Sequence, residues 1–430
     1  MRPRVAPDTV ESNTAGADTV ASRRASWRAK RHRKAQTLDQ TVQRGWVQQA
    51  RSALRRTGSI IRPNQVLLDL PSSSAAGLRP AFGGLRGNAA FPVGLHYQPD
   101  WLNRGDHHAF AQALTSLNQY WGTDVIYGRD MGTWMAYAYG RYRHQPSQEF
   151  YGVGATSRRD RVSVFRLNEA VVGGLLARML GERTLLGGHA SYRADRYGRG
   201  TITGEAPRLE TRFAGAWPAG TGQDIDYAML STFFEYDGRS TPYTRSFARR
   251  FAPTAHDLRS ISLDAEWGTY VAAQLTHYAD MAKQQYGFTR LAFDVQQYVP
   301  LEKEALHGIA LRQFTSLTRT PPGQQVPFYH LQALGGARSL RGYSVTRFQD
   351  RNVVLLNAEF RCHVWHWLDM ALFTDAGRVF HRIDALGLSR IRYNVGVGFR
   401  VRVNDQTLGR FEVARSPEGI TTHLRLGSLL

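Results

Sequence analysis

The chain has 430 residues, a formal net charge of +20 and a single cysteine, Cys362. One cysteine excludes an internal disulfide framework and any cysteine-built metal cluster. The longest strongly apolar run, Ala170 to Leu180, is broken by Gly173, Gly174 and Arg178. A helical membrane span of about 20 apolar residues is therefore excluded, whereas a barrel strand crosses the same bilayer with about 10 residues and one apolar face.

Residues 1 to 76 read as a basic, largely disordered tail. Residues 1 to 66 hold 14 Lys or Arg against 4 Asp or Glu, so half the charge excess sits there. Ser22 to Gln36 is a basic run that nucleic acid or an anionic membrane surface would attract, although a solvated tail is the commoner meaning of such a run. Leu38, Val42, Trp46, Ala50 and Leu54 recur every fourth residue beside Arg51, Arg55 and Arg56. That spacing predicts a short amphipathic helix, lying on a membrane or packed on the body of the protein. The segment after Met1 lacks the apolar core of an export signal, so either a signal lies outside this sequence or the chain is not exported.

From about Gly77 onward the text alternates apolar and polar residues between Gly, Pro, Asp and Asn, which is the period of a strand. Strands are predicted near 79–86, 90–99, 106–118, 121–129, 132–145, 161–178, 182–194, 226–238, 259–273, 287–299, 305–319, 351–364, 367–379, 391–403, 407–415 and 420–429. The clearest is Ile391 to Val403, where Ile391, Tyr393, Val395, Val397, Phe399, Val401 and Val403 take one face. Arg392, Asn394, Gly396, Gly398, Arg400 and Arg402 take the other. An even number of strands of about 10 residues predicts an all-β, 16-stranded antiparallel transmembrane barrel over residues 77 to 430. Asp195 to Asp224 and Thr320 to Asp350 are predicted as long external loops. Trp365, Trp367, Tyr120, Trp121, Trp134, Tyr137 and Tyr139 suit interfacial girdles.

Three runs near the C-terminus carry a more specific pattern. They are Val326-Pro327-Phe328-Tyr329 followed by Leu334-Gly335-Gly336 and Leu340-Arg341-Gly342-Tyr343, then Asn357-Ala358-Glu359-Phe360-Arg361, then Phe373-Thr374-Asp375-Ala376-Gly377. Together they resemble the sixth extracellular loop and following strands of the BamA/TamA surface-antigen barrels. Phe150-Tyr151-Gly152 and Arg410 to Leu430 extend the resemblance. It implies a long loop folded into the lumen and anchored through Arg341, Gly342, Tyr343, Glu359, Asp375 and Gly377. Period two puts Asn357, Glu359, Arg361 and His363 on one polar face. Asp369 and Asp375 alternate against Leu368, Met370 and Leu372, so the carboxylates point inward. An arginine buried in the lumen needs such partners, and its fork suits them better than a lysine. Gly342 allows a tight reversal, and Tyr343 wedges against the wall. Taken singly, Arg-Gly-Tyr and Asp-x-Gly are ordinary turn chemistry; order, spacing and register together favour the family.

Departures from the family are the ending Gly427-Ser428-Leu429-Leu430 in place of a terminal aromatic, and a region before residue 77 too short and basic for a chain of POTRA domains. No Gly-x-Ser-x-Gly elbow, phosphate loop or metal-spaced histidine pair occurs. His363 and His366 beside Trp365, and His107 with His108, read as lumen or interface histidines, and Arg104-Gly105-Asp106 as a turn. The expectation is a non-enzyme without cofactor or metal, located in the cell outer membrane. Its expected partners are outer-membrane lipids and client proteins or a soluble periplasmic protein, with no specific nucleic acid. The resemblance implies a role in assembly or translocation of outer-membrane protein or lipid, with substrate handled in the lumen or where first and last strands meet. The alternatives are a passive pore or membrane-anchor barrel for a soluble partner, and a soluble nucleic-acid binder, which draws only on the tail.

Overall fold

The computed structural model describes residues 77 to 426, apart from 83–84, 86–88, 91, 203–204, 241–264, 303–305, 366, 386, 388 and 404–405. The basic run, the amphipathic helix, His366 and the C-terminal Gly427 to Leu430 lie outside the described residues.

The strands are β1 (Leu78–Phe82), β2 (Val93–Tyr97), β3 (His107–Thr115), β4 (Trp121–Met131), β5 (Trp134–Phe150), β6 (Ser163–Leu180), β7 (Thr184–Arg199), β8 (Ile225–Asp237) and β9 (Gly268–Asp280). They continue as β10 (Phe288–Pro300), β11 (His307–Arg319), β12 (Gln332–Leu334), β13 (Phe348–Asp350), β14 (Asn352–Trp365), β15 (Leu368–Phe380), β16 (Arg392–Val403), β17 (Gln406–Ser416) and β18 (Gly419–Leu426). Sixteen of them form one antiparallel sheet in chain order, with β1 and β18 at its two ends, while β12 and β13 pair separately. All sixteen predicted strands are present. Several boundaries differ, three of them instructively: β7 runs on to Arg199, so Asp195 lies in a strand rather than at the start of a loop. β5 continues past Pro146 because a bulge between Gln145 and Gln148 absorbs the missing donor. β9 begins only at Gly268, whose left-handed φ of 104° makes the bend into the strand.

Alternation decides which way the sheet faces. On β16, Asn394 and Arg400 are buried while Tyr393, Val395, Phe399 and Val401 are exposed. Leu311, Leu356, Phe360, Leu372 and Leu424 repeat this pattern on neighbouring strands. An apolar outside around a charged inside is the reverse of a water-soluble sheet and is what a lipid environment selects. On β6 the outward residues Ala170, Val172, Gly174 and Leu176 lie between Asn168, which is hydrogen-bonded to His144, and Arg178, which stacks on Trp134. Ten residues at a barrel tilt make a band about 25 Å tall.

The long connections 151–162, 200–224 and 320–351 leave from one end of the sheet, here called the loop end. At the other, the turn end, β4 and β5 are joined by Gly132 and Thr133 alone, and the stacked Trp365 and Trp367 mark the β14–β15 turn. The 320–351 segment folds inward: Leu334, Leu340, Tyr343 and Phe348 form one apolar cluster with Phe314, Val353 and Leu355 on the inner wall.

Candidate functional site

Backbone register builds the site before any long-range contact is needed. Asn357, Asp375 and Asn394 lie directly across from one another on β14, β15 and β16, as do Glu359, Phe373 and Gly396 one step toward the turn end. Gly396 has no side chain because the Phe373 ring occupies its place: an added Cβ would lie 2.4 Å from Phe373 Cζ. The ring in turn lies under the Arg341 guanidinium, 3.5 Å from centroid to Cζ.

Arg341 is 3% exposed, and its guanidinium makes four hydrogen bonds, all to carboxylates of the wall. Its Nη2 and Nε donate to the two oxygens of Asp375 at 2.6 and 2.9 Å, and its Nη1 donates to Glu359 at 2.6 Å and Glu412 at 2.8 Å. Asn357 and Asn394 donate to Asp375 at 2.7 and 2.8 Å and hold that carboxylate in the plane of the fork. Burial pulls the Arg341 pKa down, but Asp375 and Glu359 outweigh it and raise it, so the group stays charged.

Gly342 presses against the wall, where an added Cβ would meet Asn394 Cβ at 2.6 Å and Ser416 Cβ at 2.9 Å. Ser416 donates to its carbonyl at 2.7 Å, and His423 of β18 is bonded to the carbonyl of Arg341 at 2.7 Å. Tyr343 donates to the Tyr393 carbonyl at 3.1 Å and meets the Phe348 ring edge-on. Gly377 lies elsewhere, under Leu334 of β12, and Asp369 is bonded to His363 near the turn end rather than to the loop.

Two further attachments were not apparent in the sequence. His330 is bonded through Nε2 to Asp195 of β7 at 2.7 Å, and its carbonyl accepts from Arg290 of β10 at 2.5 Å. At the loop end Arg347 pairs with Glu418 at 2.8 Å and donates to Ser157, while the backbone of Val153 bridges that of Gln349. Glu412, Asn394, Ser416 and His423 also went unassigned, although each stands on the polar face of an alternating strand, the one signal that marked them.

Residues 253–418, which include the loop tip and its carboxylates, match the Omp85 superfamily domain. This part of the sheet is of Omp85 type. Among solved structures the fold is similar to that of BamA from Haemophilus ducreyi lacking POTRA domains 1–3, at 13% identity and a TM-score of 0.56, covering 80% of this chain and 67% of that one. CdiB from Escherichia coli is similar at 10% identity and a TM-score of 0.54, covering 81% of this chain and 61% of that one. The chain thus spans about two thirds of either structure, and at these identities the likeness is one of fold. No curated protein sequence matches the chain.

Proposed function

We propose that this barrel assembles or translocates outer-membrane protein or lipid, with its turn end toward the periplasm, and that Arg341, Gly342, Tyr343, Glu359, Asp375 and Gly377 anchor the loop for that work. The observation that carries the proposal is the reach of the loop tip. It bonds Glu359 on β14, Asp375 on β15, Glu412 and Ser416 on β17 and His423 on β18, and its Gly342 packs on Asn394 of β16. A passive pore gains nothing from a filled lumen. A barrel that exchanges a client strand at its terminal edge gains a holder for the strands beside that edge.

The test is insertion of an unfolded outer-membrane barrel into liposomes that carry the full chain. Faster insertion than into protein-free liposomes is expected. In a Cys362→Ser background, a cysteine pair that crosslinks β1 to β18 is expected to stop this acceleration, and reduction to restore it. Full activity of the locked form overturns exchange at the seam, and no acceleration in the unlocked form overturns the assembly role. A large steady current through planar bilayers, unchanged in Arg341→Gln, points instead to a passive pore.

A further inference from the structure

Toward the turn end, one step beyond the Arg341 carboxylates, three arginines stand directly across from one another on adjacent strands. Arg400 of β16 faces Arg410 of β17, which faces Arg425 of β18, all on the inner wall. Like charges directly opposite in a sheet destabilise it, so this row needs an explanation. The wall supplies part of the compensation. Glu359 accepts from Arg400 at 2.6 Å and Arg410 at 2.9 Å, and Glu412 accepts from Arg410 and, at 2.9 Å, from Arg425.

That compensation is already shared. Glu359 also serves Arg341 and Arg361, and Glu412 also serves Arg341. In this network five guanidiniums, including Arg341 and Arg361, are bonded to three carboxylates, Glu359, Glu412 and Asp375, so the bonded positive charge exceeds the bonded negative charge. Asp369, across from Arg400, offsets part of that excess, while its Oδ1 is held by His363. The Nε–H groups of Arg400, Arg410 and Arg425 are all buried and meet no acceptor. Arg400 and Arg410 are 1% and 2% exposed, whereas the Arg425 side chain is 25% exposed and leaves the row open on the β18 side. Buried charge without a counter-ion is very costly, and three unused donors in line are a second, independent mark of a missing acceptor.

We propose that the Arg400–Arg410–Arg425 row binds a phosphate group. A phosphate group brings the negative charge that the row still lacks, and its oxygens accept from several guanidinium forks at once, which a single carboxylate does not. The group enters beside β18, either as free phosphate or as the headgroup of a phosphate-bearing lipid.

The test uses the full chain folded in detergent micelles and in nanodiscs, with thermal unfolding followed by heat-modifiable migration. Inorganic phosphate is titrated against chloride at matched ionic strength, and nanodiscs with phosphatidic acid are compared with zwitterionic ones. The expected result is a saturable rise in unfolding temperature with phosphate and none with chloride. In Arg400→Gln or Arg425→Gln the half-saturating concentration is expected to rise about tenfold, the loss of one charge-assisted contact, while Arg415→Gln, on the outer face, leaves it unchanged. A response in micelles assigns the site to free phosphate, and one confined to phosphatidic acid nanodiscs assigns it to a headgroup. Where Arg400→Gln does not fold, Arg425→Gln decides. Equal responses to phosphate and chloride in both settings overturn the proposal, as do unchanged responses in the folded variants or stabilisation by an acidic peptide alone.

Discussion

Glu359 is 1% exposed and accepts hydrogen bonds from Arg341, Arg361, Arg400 and Arg410, so its charge is used four times over. Glu359→Gln keeps the shape and removes the charge, leaving Asp375 and Glu412 to hold Arg341 and Arg410 and taking the bonded carboxylate from Arg400. A loss of about 3 to 5 kcal/mol is expected, the range for breaking a buried ion pair from one side. Asp375→Asn loses one guanidinium contact but keeps the two neighbouring amides within hydrogen-bonding reach, so about 1 to 3 kcal/mol is expected. Urea unfolding followed by gel migration measures both, and an equal or reversed order refutes the sharing. His330 adds a dependence on pH. Burial and then Arg193 lower its pKa below the ordinary 6.5, against the pull of Asp195, with Arg290 adding to the lowering. The folded state therefore holds His330 neutral, and the unfolded chain takes up a proton more readily. The stability this gives is present above pH 6.5 and falls as pH drops below it. His330→Asn is expected to flatten the decline in unfolding midpoint between about pH 7 and pH 5, and an unchanged slope refutes the assignment.

At the scale of strands and hairpins, Gly396 decides how β15 and β16 share the wall. An alanine there would press its Cβ on Phe373 and lie 2.4 Å from the Val413 carbonyl, moving the ring from beneath Arg341. Gly396→Ala is expected to lower the unfolding midpoint by the equivalent of about 1 to 3 kcal/mol, the cost of overpacking. Gly174→Ala, whose Cβ meets only a carbonyl 3.6 Å away, is the control, and equal effects refute the argument. The β14–β15 hairpin was the most legible element, because period two alone turns Glu359 and Asp375 inward and Phe360 and Leu372 outward. What period two does not encode is which inward residues meet across the lumen. Glu412 and His423 lie 71 and 82 residues from Arg341 and reach it only because the sheet curls around the loop. Asp195 reads as loop in the sequence for a related reason. Strand β7 runs well beyond the lipid band, and nothing in its alternation marks where membrane ends and strand continues.

For the whole molecule, the question is what keeps the lumen shut. The 320–351 segment is held at three heights: Arg341 on the β14–β18 side, His330 across the lumen on β7 and β10, and Arg347 at the loop end. The last contact gathers separate pieces of chain. Arg347 binds Ser157 and Glu418, Arg159 donates to the Glu418 carbonyl at 2.8 Å, and Arg392 donates to the Ala155 carbonyl at 2.7 Å. The 151–162 connection is thereby tied across the mouth to the β17–β18 turn. Anchors this far apart act as one only if the segment between them is rigid, and here it carries β12, β13 and a packed apolar cluster. Loss of one anchor is therefore expected to loosen the plug without expelling it. In planar bilayers the unaltered chain is expected to give a low current, Arg341→Gln or Arg347→Gln brief openings, and the double variant long openings of larger conductance. Independent sites would add their effects, whereas coupling through a rigid segment makes the double variant open far more than the sum of the two. Additive opening would mean that the loop yields piecewise, and a steady large current from the unaltered chain would mean that the plug does not seal the barrel at all.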